Sequence, residues 1–503
     1  MSASATFGIE RTKTLSALVA LFTIAVLAST PVDLNGQVTL AVATACVFVT
    51  MTWVQPAGGP LRVFILLLTL FTSTRYMLWR ASETIPFSDP VSLFFALALF
   101  GAELYGFVIL LLSMFLSADV ADRRPVPAPV GATKSPTVDI LIPTYNEDEQ
   151  LLEVTVRAAM AVSYPAGRCS VYLLDDGGTV AKRTQMDPRK AAEAEERHQR
   201  LQQLCERTGA TYLTRERNDH AKAGNINAAL TQTSGELILI LDADHVPTAD
   251  ILLRTVGYFL ADPKLFLVQT PHFFLNPDPV ERNLDTFDRM PSENEMFYSV
   301  IQKGLDGYNA SFFCGSAAVL RRKHIMEIGG IQGETITEDA ETALELHARG
   351  YHSAYVARPM VAGLSPETFS GFIVQRMRWA QGMAQIFLLK NPLVKTGLTL
   401  AQRLGYLNSC FFWFFSLARM AFILTPLVYL IFGIQIYAVG VEYFLAYGVP
   451  HVIGALLLTS MLYGGSRWVF ASELYEIVQA VHCSGAIMRV FRNPLAPTLD
   501  VTP

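Results

Sequence analysis

Charge is scarce in this sequence: Asp, Glu, Lys and Arg make up 17% of its 503 residues, against 51% hydrophobic. Such a balance disfavours a freely soluble protein and points to a membrane. A basic excess is also lacking, since 39 Lys and Arg stand against 44 Asp and Glu. A nucleic-acid partner is therefore set aside, because polyanion binding needs a basic excess or stripe. Cysteine is sparse. Cys46, Cys169, Cys205, Cys314, Cys410 and Cys483 form no C-x-x-C pair, which argues against a zinc ribbon or a dense disulfide framework and suits a reduced, cytosol-facing catalytic region. No G-x-x-x-x-G-K-[ST] follows the first apolar strand, so the phosphate cradle of an ATPase is missing too.

Long apolar runs are what the chain has in quantity. Residues 15–32, 38–54, 61–79 and 91–116 each come close to the ~20 residues that cross ~30 Å of hydrocarbon as a helix. Two more, 406–437 and 443–463, follow a long polar middle, and the first of these is expected to be kinked or partly interfacial. The run at 15–32 follows Arg11 and Lys13 as a signal peptide would. No cleavage site and polar mature sequence come after it, so it reads as a retained helix. Arg11, Lys13, Arg62, Arg123, Arg124 and Lys134 fall on one side of the alternation and the loop 433–442 has no Lys or Arg, with Arg80 the exception. The positive-inside rule then puts the polar middle in the cytoplasm, and the expected location is a bacterial inner membrane crossed several times. The expected divisions are a four-helix membrane region (1–120), a Pro- and Ala-rich linker (121–136), a cytoplasmic domain (137–364), amphipathic interface helices (365–400), two more membrane helices (401–465) and an interfacial segment (466–503).

Within the middle, short apolar runs at 138–142, 171–174, 237–241 and 265–268 alternate with helical patterns, among them the charged stretch 190–207. This predicts an open α/β sheet. Three of the runs lead into polar clusters: Thr144-Tyr145-Asn146-Glu147, Asp175-Asp176-Gly177-Gly178 and Asp242-Ala243-Asp244-His245. Ligands of open α/β sheets sit beyond the carboxyl ends of the strands, so one crevice collects all three. Asp242, Asp244 and His245 suit a divalent cation, Mg2+ or Mn2+, that keeps waters and binds phosphates; the same acidic residues also suit strand capping. Asp175 is placed to accept from a uracil imide and Tyr145 to face the base, while Lys222 and Arg378 are the candidate diphosphate ligands. Asp339, in Thr337-Glu338-Asp339, is the candidate base that deprotonates an acceptor hydroxyl, with helix capping as the other reading. Trp379, in Gln375-Arg376-Met377-Arg378-Trp379, offers a face to a pyranose or anchors an interfacial helix. Phe312-Phe313-Cys314-Gly315-Ser316 is a candidate acceptor wall.

Taken in order, Asp175, Asp242-Ala243-Asp244, Thr337-Glu338-Asp339 and Gln375-Arg376-Met377-Arg378-Trp379 resemble the signature of processive family-2 glycosyltransferases. The resemblance to bacterial cellulose synthases runs further, through His220-Ala-Lys-Ala-Gly-Asn225, Val268-Gln-Thr-Pro-His-Phe-Phe274 and Gly333-Glu-Thr-Ile-Thr-Glu-Asp339, and covers nearly the whole chain. It implies a GT-A glycosyltransferase domain (Rossmann-like mixed sheet) inserted between transmembrane helices. It also implies an inverting transfer of glucose from UDP-glucose to the non-reducing end of a β-1,4-glucan, which passes through a channel of the protein's own helices. Carried over by motif, Asp175 and Tyr145 bind uridine, and Lys222, Gln375 and Arg378 the donor. Asp242, Asp244 and His245 organise donor and metal, and Asp339 is the base. Trp379, Cys314, Phe313, Glu338 and His272 border the acceptor. A periplasmic cellulose synthase subunit and membrane lipids are the expected partners. A hyaluronan- or chitin-type synthase using a UDP-N-acetylhexosamine, and a non-catalytic nucleotide-binding membrane subunit, are the alternatives. Only Val501-Thr502 resembles the family's gating loop, and no counterpart of its PilZ region is found, which puts control by cyclic di-GMP in question.

Overall fold

Strand β1 (Val138–Thr144) is buried at every position, as expected of a parallel strand covered on both faces by helices. The computed structural model describes residues 19–54, 59–87, 89–118, 120, 123–128 and 135–495. Arg11, Lys13, Lys134, half of the expected linker and Val501-Thr502 lie outside them. The chain forms two compact units, one from residues up to Phe115 with Phe415–Ala480, the other from Leu116–Phe414 with the residues from Val481 on.

The second unit holds the sheet. After β1 come β2 (Cys169–Asp175), β3 (Thr211–Thr214), β4 (Leu237–Ile240), β5 (Val246–Pro247), β6 (Leu265–Gln269), β7 (His272–Phe274), β8 (Ala318–Arg321), β9 (His352–Tyr355) and β10 (Val361–Gly363). Seven strands pair in the order β3-β2-β1-β4-β8-β6-β9, and β5-β10-β7 form a small second sheet. All seven are parallel except β8, which runs antiparallel to β4 and β6. The chain moves from β1 outward to β2 and β3, then crosses to β4 on the other side of β1. The topological switch, where an α/β sheet opens a crevice, therefore falls between β1 and β4. Ile140, Ile142, Leu173, Leu239 and Val268 are fully buried in one core with Leu152 and Val256 of the covering helices. Helix Glu149–Met160 starts on an Asp148 cap, and helix Pro188–Thr208 on an Asp187 cap followed by Pro188, and the latter ends on left-handed Gly209. These are the residues that satisfy the orphan groups of helix ends.

Among the described residues, the first unit has five helices long and apolar enough to span a bilayer: Leu34–Val54, Gly59–Glu83, Pro90–Leu116, Phe415–Phe432 and Val441–Tyr463. The run expected at 15–32 is described as the shorter helix Val19–Ser29. Helix Val441–Tyr463 packs on Leu34–Val54 and Gly59–Glu83, and Gly454 lets the Phe48 ring approach, the small-residue contact usual where helices associate in lipid. Charges inside are compensated. Arg80 pairs with Glu103 at 2.8 Å, and Tyr76 and Tyr437 donate to the same carboxylate. Arg75 donates to Ala28 O and Thr30 O, at the end of helix Val19–Ser29.

The run expected at 406–437 is split. Leu400–Phe412 is a helix of the second unit, and the membrane-length helix starts only at Phe415. Tyr406 explains the shift: it is fully buried, with its hydroxyl 2.7 Å from His347 Nδ1, while Gln402 donates to Asn309 O. An apolar helix face that packs on a protein core reads, in sequence, like one that faces lipid.

Candidate active site

Strands β1, β2 and β4 end on Thr144, Asp175 and, one residue on, Leu241, so the three polar clusters emerge side by side along the pairing of β2 with β1 and β1 with β4. At the end of β4, Lys222 ion-pairs with Asp242, and its ammonium also donates to Gly315 O at 2.8 Å. Burial pulls Lys222 down, but the charges of Asp242 and Glu338 more than offset it and leave the pKa raised. Burial likewise opposes the charge of Asp242, yet Lys222 and His245 hold its carboxyl below the ordinary value. Lys222 is presented by a strained turn. His220 and Ala221 both have positive φ, 57° and 43°, a conformation costly for residues with a Cβ. Arg215 holds that turn, donating to Asp219 O and Ala221 O while it clasps both oxygens of Asp176, at 2.7 Å each.

Asp339 lies in the first turn of helix Glu338–Ala348, where its Oδ1 accepts from Ala340 N at 2.7 Å. Gly315 at φ 80° leaves the space in front of Oδ2 open; a Cβ there would stand 3.3 Å from that oxygen and 3.4 Å from Lys222 Nζ. Burial, then the charge of Glu338, pushes Asp339 up to about 7. Glu338 itself is raised by burial. Asp339 is therefore poised near neutrality, where a general base works best. The loop before Asp339 is pinned: Thr335 N donates to Glu341 at 2.8 Å and Ile336 N to Gln385 Oε1 at 2.9 Å. Gln385 belongs to helix Phe369–Leu389, which also carries Gln375, Arg378 and Trp379, and its amide donates to Pro494 O.

Asp339, Glu338, Lys222 and Asp242 thus share one site. Arg378 reaches it by charge, acting on Glu338, and its Nε is buried with no hydrogen-bond partner in the described residues. Cys314, raised by burial and by Asp339, accepts from Gln302 Nε2. His245 Nδ1 meets Ser316 Oγ at 2.7 Å, and the ring of His272, lowered by burial to about 3, lies 4.7 Å from that of His245. Phe313 is fully buried behind this loop. Trp379 packs with Arg376, whose guanidinium lies 4.8 Å from its ring, and with Trp413; Gln375 is half-buried on the same helix.

Asp175 and Tyr145 form a second group. Asp175 is fully buried and accepts from Gly177 N, Arg197 and Tyr212. The Lys182 ammonium lies 3.5 Å from the centre of the Tyr145 ring. Arg197, Tyr212 and Gln385 are the residues sequence reasoning missed. Arg197 is one charge among many on an amphipathic helix, and no local pattern sets it apart.

Asp242 and Asp244 flank Ala243 at the end of β4. Among the described residues, the ring of His245, 4.0 Å away, is the one basic group within ion-pair distance of Asp244, and burial raises the Asp244 pKa. No group of three His, Cys, Asp or Glu side chains forms a ready-made cage among the described residues. A carboxylate lacking a strong cation, beside a second carboxylate, fits a divalent ion that keeps waters and substrate oxygens in its shell rather than one enclosed by protein.

Residues 237–462 match glycosyl transferase family group 2, and residues 139–329 match glycosyl transferase family 2. A cellulose synthase catalytic subunit (UDP-forming) of Pseudomonas fluorescens is 42% identical over 475 residues, which are 94% of this chain and 61% of the relative. That of Xanthomonas axonopodis pv. citri is 44% identical over 81% of this chain and 52% of the relative. The chain spans about half to three fifths of the length of these curated relatives. A mannosyltransferase of Pyrobaculum calidifontis, solved with GDP-Man and Mn2+, aligns at a TM-score of 0.50 over 80% of this chain and 98% of the other. At 19% identity that is a likeness of fold.

Proposed function

We propose, from the matches of residues 139–329 to glycosyl transferase family 2 and of residues 237–462 to glycosyl transferase family group 2, that this chain is a glycosyltransferase of that kind, which adds glucose from UDP-glucose to the non-reducing end of a β-1,4-glucan and passes the polymer through its own membrane helices. The observation that carries this reading is Asp339: a carboxyl held near neutrality, with Oδ2 toward open space, beside Lys222 and Asp242. Its oxygen takes the proton of the acceptor hydroxyl as that oxygen attacks the anomeric carbon from the side opposite UDP. The bond to UDP breaks and the configuration inverts. Lys222 and Arg378 hold the diphosphate. The orphaned Nε of Arg378 is the type of buried donor that an anionic oxygen satisfies. Tyr145 and Asp175 take the uridine, and Trp379 with Cys314 borders the acceptor sugar.

The relatives' names support glucose as the transferred sugar. The fold neighbour bound to Mn2+ supports a divalent metal, and Asp244 with Asp242 and His245 would hold Mg2+ or Mn2+. When bound, such an ion neutralises charge on the leaving diphosphate. A cytoplasmic catalytic unit on a bacterial inner membrane, with a periplasmic subunit receiving the glucan, completes the reading. The test is Asp339→Asn: it should bind UDP as the wild type does and transfer no sugar. Undiminished polymer synthesis would remove Asp339 from this role.

A further inference from the structure

Arg197 projects from helix Pro188–Thr208, outside every strand-end cluster, yet spends its guanidinium on two of them. Nε donates to Asp175 Oδ1 at 3.1 Å, Nη1 to Glu147 O at 2.8 Å and Nη2 to Thr144 Oγ1 at 3.0 Å. Thr144 and Glu147 bracket Tyr145, and the Glu147 carboxylate ties the same turn by accepting from Tyr145 N and Asn146 N. Asp175 is held from the other side by Tyr212, whose hydroxyl donates to Oδ2 at 2.9 Å and itself meets His198 Nδ1 at 2.8 Å. Gly177 N donates to Oδ1 at 2.9 Å. A carboxylate has about four acceptor positions, so these three donors leave one, on Oδ2. That group is fixed and accepts only.

We propose that Arg197, with Tyr212, is a positioning residue for base recognition: it clamps the turn carrying Tyr145 to the carboxylate of Asp175 and so sets the preference for uracil. The inference rests on the uridine reading given above. The imide N–H of uracil complements a fixed acceptor, whereas cytosine presents an acceptor at the same ring position and is rejected. A site built around one hydrogen bond discriminates strongly against the ring that lacks it. The planar fork explains why Arg stands here, since a single ammonium cannot span Asp175, Glu147 and Thr144 together.

The experiment titrates UDP and CDP calorimetrically into the full chain in lipid nanodiscs, for wild type, Arg197→Met, Arg197→Lys and Tyr212→Phe, with thermal unfolding and donor kinetics measured alongside. Wild type should prefer UDP. Arg197→Met should lose about tenfold or more of that preference, by weaker UDP binding with CDP little changed, and KM for UDP-glucose should rise more than kcat falls. Arg197→Lys should recover part of the preference. Tyr212→Phe, which keeps the ring and removes one hydrogen bond, should lose a smaller part, and it carries the test if Arg197→Met does not fold. Folded variants that keep the wild-type UDP-to-CDP ratio would overturn the inference and leave the uridine reading intact. A wild type that shows no preference overturns both.

Discussion

On the proposed reading Asp339 is the base on which the chemistry turns, and its pKa gives a signed prediction. The base acts only when deprotonated, and its pKa is held at about 7. The transfer rate at low donor should therefore rise about tenfold per pH unit below neutrality and level off above it. His272, pulled down to about 3 by burial, stays neutral across that range and adds no second limb. Glu338→Gln removes the negative charge that raises Asp339, so the rise should move to lower pH; a profile that does not move would mean that burial alone sets the value. The same shift bears on stability. The folded state holds this proton more tightly than the unfolded chain, whose value is the ordinary 3.8. The contribution is greatest below that value and is lost as pH climbs to about 7.

Helix Phe369–Leu389 joins two parts of the site that lie far apart in sequence. Gln385 accepts from Ile336 N in the loop before Asp339 and donates to Pro494 O, so Gln385→Leu unties both without changing the volume much. Transfer should fall about tenfold or more while UDP affinity holds; an unchanged kcat would show that the loop is placed without it. The strands were readable because parallel strands covered on both faces must be continuously apolar, as Leu237–Ile240 and residues 265–268 are. Their polar ends were readable for the same reason, since Asp175 and Asp242 follow such runs directly. The reversed direction of β8 was not, because nothing local in Ala318–Arg321 encodes which neighbours it joins. The helix Leu400–Phe412 was merged with a membrane span because its buried contacts with His347 and Asn309 are tertiary. Arg197 was hidden among the charges of its helix, and Gln385 was silent because its partners lie on distant segments.

The whole molecule joins a unit with a GT-A fold to a unit of apolar helices, and each has its own stability requirement. In the apolar unit the buried pair of Arg80 and Glu103, shared with Tyr76 and Tyr437, is costly to break from one side. Arg80→Met should destabilise by about 3–5 kcal/mol, since it leaves a buried carboxylate without its cation. Thermal unfolding in lipid measures this, and an unshifted transition would mean that the carboxylate finds another partner or a proton. In the catalytic unit the arrangement of Lys222, Asp242, Glu338 and Asp339 only matters if the chain polymerises sugar. The decisive measurement is incorporation of radiolabelled glucose from UDP-glucose, with Mg2+, by the purified chain in lipid nanodiscs. The expected product is a polymer that β-1,4-glucanase degrades, with one UDP released per glucose added. Tight UDP binding with no glucanase-sensitive polymer would contradict a cellulose-forming role for these residues.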